Sequence, residues 1–273
     1  MTASANPQVA LVTGASSGIG QAIARHLAAR GWRVFGTSRR ESSGAGGVDM
    51  LTMDVDDDES VAHGVASVVH RSGRLDAVVN NAGWALMGPV EDTPIADARA
   101  QMETNFFGVL RVCRAALPVM RAQRGGHIVN ISSLAGVFGM PFSGIYSASK
   151  FAVEGLSESL RMEARPFGVH VVLVEPGDVR SDLPLRRRTV GPAADGSAYR
   201  AVFDRFQAKQ AQDEAKAPPA DGVALLVERI LRDPRPGMRY GVGMWDQRMV
   251  RPLKRMLPYG WFERMLGAAL GVR

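Results

Sequence analysis

Short runs of β-branched and other apolar residues, separated by segments long enough for a helix, recur through this chain, and that alternation restricts its fold more than any other feature. The runs fall at residues 9–13, 33–37, 50–54, 77–80, 127–131 and 169–174, with a last short one near 240–243. A strand that pairs in parallel with an earlier one needs a crossover of a dozen or more residues, and that crossover is right-handed. The runs are mostly apolar rather than alternating, as a sheet covered by helices on both faces requires. The expected architecture is a three-layer α/β sandwich.

A chain of 273 residues suits one such domain, spanning residues 1–273. No apolar stretch approaches the length of a membrane-spanning helix. The opening residues are short and polar, without a charged-then-apolar signal segment, so export is not expected and the expected location is the cytoplasm. Cys113 lies in a helical pattern and reads as core packing. The net charge is +6, but the basic residues are dispersed except at Arg186, Arg187 and Arg188 and between Arg248 and Arg255. With no nucleic-acid motif beside them, no nucleic-acid partner is expected, and the triple arginine reads as a solvated loop. His26, His63, His70, His127 and His170 are scattered without ligand spacing, so no metal site is expected. Glu154 and Glu158 fall at helical spacing with Arg161 and read as surface charge pairing.

The first strand runs into Gly14, Ala15, Ser16, Ser17, Gly18, Ile19 and Gly20, followed by a helical pattern. Glycines at that spacing allow a tight turn and close backbone approach, and the free N–H groups at the helix start suit pyrophosphate oxygens. At the end of the second strand, where a carboxylate would hold ribose hydroxyls, stand Ser38, Arg39 and Arg40. Arginine pairs with a 2′-phosphate where a carboxylate would repel it, so NADP(H) is expected over NAD(H). Asp54 is expected to accept from the adenine amine with Val55 against the ring, and Asn81, Ala82 and Gly83 to pack their backbone near the cofactor.

Tyr146 and Lys150 stand four apart in a helical pattern and share one face. A nearby ammonium and an oxidised nicotinamide ring both stabilise a phenolate and lower its pKa, so Tyr146 would exchange a proton with an alcohol or carbonyl oxygen as hydride moves. Ser133, at the end of the strand at 127–131, would steady that oxygen, with Ser132 the alternative. Asn105 is expected to hold Lys150 through a water molecule.

Taken together, the 13–20 turn, Asn80 to Gly83, Asn105, Ser133, Tyr146, Lys150, Pro176 and Gly177 resemble the short-chain dehydrogenase/reductase family in its standard-length branch. The resemblance implies a Rossmann-type, doubly wound fold with a seven-stranded parallel sheet between two helix layers. It also implies an Asn105-Ser133-Tyr146-Lys150 tetrad and a homodimer or homotetramer. Lys150 would hold the nicotinamide ribose, and Pro176, Gly177, Val179 and Ser181 would lie at the carboxamide. Within the family the stretch around Tyr146 looks like members acting on hydroxysteroids and retinoids. The implied function is reduction of a ketone or aldehyde, or oxidation of a secondary alcohol. A catalytically weak NADP(H)-binding regulatory protein of the same fold is the alternative.

The substrate-binding segment is expected at about 177–219, with a helix at 197–212 inside it, a further helix at 221–232, and an amphipathic tail at about 246–273. Trp84, Leu134, Phe138, Met140, Phe142 and Leu183 are the residues expected to line a pocket with Ser133 and Tyr146. Their character favours a small hydrophobic substrate. The tail is expected to cover that pocket or pack on another subunit, with peripheral membrane contact the alternative.

Overall fold

All seven expected strands form in the computed structural model, which describes residues 7–180, 187–190 and 197–272. They are β1 (Val9–Val12), β2 (Arg33–Ser38), β3 (Val48–Thr52), β4 (Ala77–Asn80), β6 (Gly126–Ile131), β7 (Val169–Pro176) and β9 (Arg239–Val242). They build one parallel sheet in the order β3-β2-β1-β4-β6-β7-β9. The order reverses between β1 and β4, where Val12 lies opposite Val79. At such a switch point the loops leaving the strands diverge and open a crevice at their carboxyl ends.

The helices are α1 (Gly18–Ala29), α2 (Asp58–Ser72), α3 (Ile95–Met102), α4 (Gly108–Gln123), α5 (Gly144–Ala164), α6 (Arg200–Ala215), α7 (Asp221–Arg232), α8 (Trp245–Met256) and α9 (Tyr259–Ala269). Side chains alternate across the sheet, so the apolar strands feed two cores. Val9 and Leu11 of β1 point to a core shared with α2, α4 and α5, while Ala10 and Val12 point to one shared with α1 and α7. Cys113 sits in the first core, where burial pushes its thiol up to about 12, so the core-packing reading holds. A polar thread crosses that core: Asn80 donates to Asn130 (2.8 Å), which donates to Ser157 (2.8 Å).

Several local features differ from expectation. The tail does not form one amphipathic stretch. Pro258 holds Leu257 in an extended conformation and divides it into α8 and α9. Glu154 is not a surface residue: it is buried and ion-paired with Arg239, which also reaches Glu158 and Glu175. Arg161 instead donates to the carbonyls of Val171 (2.6 Å) and Pro236 (2.8 Å). A second, two-stranded parallel sheet pairs β5 (Leu86–Met87) with β8 (Arg188–Thr189). Two residues per strand are too few to show a period in the sequence.

Candidate active site

The turn after β1 is held by a small set of bonds to the loop after β4. Thr13 Oγ1 accepts from the backbone N–H of Asn81 (2.9 Å) and of Ala82 (3.0 Å), and Asn81 Nδ2 donates to the carbonyls of Thr13 (3.0 Å) and Gly14 (3.3 Å). Gly14 has φ +66° and Gly18 φ +57°, conformations that cost a side-chain-bearing residue energy. A Cβ on Gly20 would lie 2.4 Å from Asn81 Nδ2 and 2.5 Å from the Gly14 carbonyl oxygen, so the helix start is packed against the loop without room for a side chain. Ser17 caps α1 in position only: its side chain makes no capping bond, and its Oγ is buried without a hydrogen-bond partner. A buried hydroxyl beside free helix N–H groups, on a cradle only glycine can form, fits an anionic group such as a dinucleotide pyrophosphate.

The ends of β2 and β3 flank this turn. Ser38 is half-buried, and Arg39 and Arg40 are exposed with no ion pair to either among the described residues. Asp54 accepts from the N–H of Asp56 (3.1 Å). Val55 is buried with its side chain in the core, where a Cβ on Gly108 would come within 2.9 Å of it.

Tyr146 and Lys150 lie one turn apart on α5, facing the carboxyl end of β6. Lys150 is 7% exposed, and its Nζ donates to the Ile131 carbonyl at 2.8 Å and sits 5.8 Å from the Tyr146 ring centre. Burial lowers its pKa to about 8. Burial raises that of Tyr146, opposed by a hydrogen bond with the Ser133 hydroxyl and by the charge of Arg187. In the protein alone, desolvation of the phenol outweighs the nearby positive charge. Ser133, in extended conformation at the head of a single 3₁₀ turn (Leu134–Gly136), accepts from the Ala135 N–H (3.1 Å). Ser132 turns the other way, toward Gly136, where an added Cβ would meet its Oγ at 2.7 Å. That resolves the choice between the two serines for contact with Tyr146.

Asn105 is bonded directly to Trp84 and Ser149. It sits in a π-helical turn (Glu103–Phe107) and is 1% exposed. Its Oδ1 accepts from the Trp84 N–H (3.1 Å), and its Nδ2 donates to the Trp84 carbonyl (3.0 Å) and to Ser149 Oγ (3.1 Å). With its amide taken up by these partners it does not line the cavity, and it fastens the loop after Gly83 to α5 rather than reaching Lys150 through its side chain. Such π turns recur at functional sites because they redirect side chains within a helix.

Tyr146 opens into a cavity of about 920 Å³ that runs from Ser17, Gly18 and Ile19 past Pro176, Gly177 and Val179 to the inner faces of α8 and α9. Trp84, Leu134, Phe138 and Met140 line it as expected. Phe142 does not. Its φ of +54° turns the ring away onto Phe203 (5.2 Å) and Phe206 (5.4 Å) of α6. Ser181, Leu183 and Arg186 lie outside the described residues. Ser38, Arg39, Arg40, Asp54 and Val55 are not part of the cavity wall, which meets the turn only at its helix end.

The cavity also has residues the sequence did not point to. Arg187 is not a solvated loop residue: it pairs with Glu214 and lines the cavity, close enough to Tyr146 to affect it. Lys209 pairs with Asp213 on α6, and Asp178 accepts from Gln247 (2.6 Å). Burial raises the Asp178 carboxyl. The spacing of Lys209 and Asp213 was visible as a helical pair, but nothing in it indicated a cavity. The opposite wall, Val250, Leu253 and Leu266 among others, comes from the tail, which thus covers the pocket.

A doubly wound sheet with a glycine turn at its switch point and a half-buried tyrosine one turn from a buried lysine defines a protein of the Rossmann class. The comparisons narrow this: the model of the short chain dehydrogenase family matches residues 8–189, and the chain belongs to that family. A 3-ketodihydrosphingosine reductase of Bacteroides thetaiotaomicron is 38% identical over 267 residues, covering 98% of this chain and 99% of the relative. The 17-beta-hydroxysteroid dehydrogenase type 1 of Mus musculus is 34% identical over 92% of this chain and 77% of its own. Among solved structures, a short-chain dehydrogenase from Streptomyces avermitilis superposes with a TM-score of 0.81 at 30% identity, covering 98% of this chain and 99% of that one. A metagenomic short-chain oxidoreductase in complex with NADP (TM-score 0.68, 30% identity, 86% and 96% covered) is similar too. So is an enzyme of the family from Burkholderia phymatum in complex with NAD (TM-score 0.77, 26% identity, 95% of each chain).

The clamp on the turn is testable without substrate. Thr13→Val keeps the side-chain shape but leaves the N–H groups of Asn81 and Ala82 without their acceptor. It should lower stability by about 1–3 kcal/mol in urea unfolding, and an unchanged midpoint would mean the turn is held otherwise.

Proposed function

We propose that this protein uses NADPH to reduce the ketone of a long-chain, amphiphilic substrate. The observation that carries the reading is the position of Tyr146, a half-buried phenol kept in its neutral form at the junction between the glycine turn and a cavity lined by both ion-paired and apolar side chains. The Gly14 to Gly20 turn with Ser16 and Ser17, together with Asn81, Ala82, Gly83, Lys150, Pro176, Gly177 and Val179, would hold the dinucleotide. When bound, it supplies the hydride.

The chain's own residues supply the proton and the orientation. Burial keeps Tyr146 in its neutral form near pH 7, so its hydroxyl can donate to the carbonyl oxygen as negative charge develops there. Ser133 accepts from Ala135 N–H and shares a hydrogen bond with the Tyr146 hydroxyl, so a carbonyl oxygen entering between the two hydroxyls would receive a hydrogen from each. Lys150 spends one N–H on the Ile131 carbonyl and retains two, for the ribose and for the approach of the phenol. Asn105 acts as a positioning residue, through Trp84 and Ser149.

The substrate class rests on two supports. The Bacteroides relative is named a reductase of 3-ketodihydrosphingosine, and here the paired charges of Arg187 with Glu214 and of Lys209 with Asp213 line the same cavity as Leu134, Phe138 and the apolar side chains of the tail helices. A substrate with a polar head and a long alkyl chain matches a wall of both kinds. The preference for NADPH rests on Arg39 and Arg40, both exposed beside the turn and in no ion pair among the described residues, with Arg39 close enough to Asp56 to lower its carboxyl against the rise from burial.

Purified protein should therefore turn over 3-ketodihydrosphingosine with NADPH faster than a 17-ketosteroid, and Tyr146→Phe should lower kcat about hundredfold or more while leaving NADPH affinity nearly unchanged. Unimpaired turnover in that variant would remove the mechanism. Lys150 carries its charge below a pKa of about 8 and loses it above, so kcat/KM should fall as pH rises through about 8, whereas a lysine at its ordinary value of 10.5 would sustain activity to higher pH. Arg39→Ala with Arg40→Ala should raise KM for NADPH far more than for NADH. Equal effects on the two would place the 2′-phosphate elsewhere.

A further inference from the structure

The two terminal helices are apolar on both faces. Inward, Phe262 is 2% exposed and meets Phe138 edge-on with ring centres 6.2 Å apart, with Leu266 and Leu270 beside it. Outward, Met256, Tyr259 and Trp261 are 79%, 72% and 69% exposed, and Trp245, 75% exposed, stands at the rim of the cavity. A helix at the surface of a globular protein ordinarily presents polar residues there. The chain's four tryptophans divide along the same line: Trp32 is buried, Trp84 half-buried, and the other two both stand open on this pair of helices.

The outward residues of α9 form one stripe, since Trp261, Arg264 and Ala268 recur at spacings of three and four, are all exposed and lie outside the cavity wall. Arg255 and Arg264 project among the apolar residues, while Lys254 and Arg251 are tied inward, to the Val137 carbonyl at 2.5 Å and toward Glu175 at 3.6 Å. Between Trp245 and Val272 the sequence carries five basic residues, Arg248, Arg251, Lys254, Arg255 and Arg264, against Asp246 and Glu263. Tryptophan and tyrosine favour the boundary between lipid headgroups and acyl chains, and arginine among them adds attraction to anionic headgroups. Among the described residues no helix is long and apolar enough to cross a membrane, so contact through this face would be peripheral.

We propose that the outer face of α8 and α9 docks on the surface of an anionic lipid bilayer. Charge selects this occupant over a second copy of the chain, whose equivalent face is also basic and would be repelled. The helices that would rest on lipid are the same ones whose inner faces wall the cavity. Docking therefore sets the cavity wall that these helices build beside the lipid phase, where a long-chain substrate resides. The docking itself does not depend on which ketone is reduced, and its test reads no turnover.

Flotation of the full chain with phosphatidylcholine vesicles, with and without phosphatidylglycerol, at low and high salt, is the experiment. Binding to the phosphatidylglycerol vesicles, weakened by salt and accompanied by a blue shift of tryptophan emission, is expected. Tyr259→Ser with Trp261→Ser should weaken it about tenfold or more with the melting temperature kept, because both side chains are exposed in the free protein. Arg255→Glu with Arg264→Glu should weaken binding to the anionic vesicles in the same way. The proposal is overturned if the parent protein does not float with anionic vesicles or if both variants bind as the parent does. It is also overturned if sedimentation shows that the aromatic variant dissociates an oligomer held together by this face.

Discussion

The whole site depends on how closely two loops approach at the point where the strand order reverses. Thr13 and Asn81 exchange hydrogen bonds across the switch point between β1 and β4, and Gly14 and Gly20 leave no volume that a side chain could occupy. That contact fixes where α1 begins. It also sets Ser17 with an unpartnered hydroxyl at the helix start and holds Asn81 to Gly83 along one side of the crevice. From Gly83 the chain passes to Trp84, which Asn105 clamps by both backbone groups, and from Asn105 to Ser149 in the helix carrying Tyr146 and Lys150. A continuous hydrogen-bonded path thus links the nucleotide-binding turn to the tyrosine, and displacement at one end would be felt at the other.

The electrostatics of the centre are set by burial before any ligand arrives. Desolvation pushes Tyr146 toward the neutral phenol and Lys150 down to about 8, opposite movements with one cause. A protonated phenol beside a serine hydroxyl can give a proton to a carbonyl oxygen, as the proposed reduction requires. Arg187 adds to this balance from β8's edge, a role that a run of arginines in a loop did not suggest. Its ion pair with Glu214 joins the segment before β8 to α6 and keeps that part of the cavity wall assembled.

The cavity's other wall is built from the last helices of the chain. Phe262, Leu266 and Leu270 pack over Phe138 and Leu134, so the apolar part of the site exists only when the tail is in place. Lys254 assists by donating to the Val137 carbonyl and lying over the Phe151 ring at 5.3 Å. The same helices leave Tyr259 and Trp261 outward, which connects the way the site is closed to the way its substrate would be reached.

The sheet was legible in the sequence because an apolar strand covered on both faces leaves an uninterrupted run, and a helix-length gap between runs admits only parallel crossovers. The glycine turn and the spacing of Tyr146 and Lys150 were legible for a similar reason: both are local, one set by backbone conformation and the other by helical pitch. What Asn105, Phe142, Arg187 and Glu154 do was not, because each depends on a partner far away in sequence. Asn105 answers to Trp84 and Ser149, Phe142 to Phe203 and Phe206, Arg187 to Glu214, and Glu154 to Arg239. The sequence by itself determined the layers, the turn and the reacting pair, since short-range sterics and periodicity suffice for them. Only the tertiary structure decided which side chains face the cavity, which are spent on holding it, and where burial moves their protons, because those depend on distances between segments that no local pattern encodes.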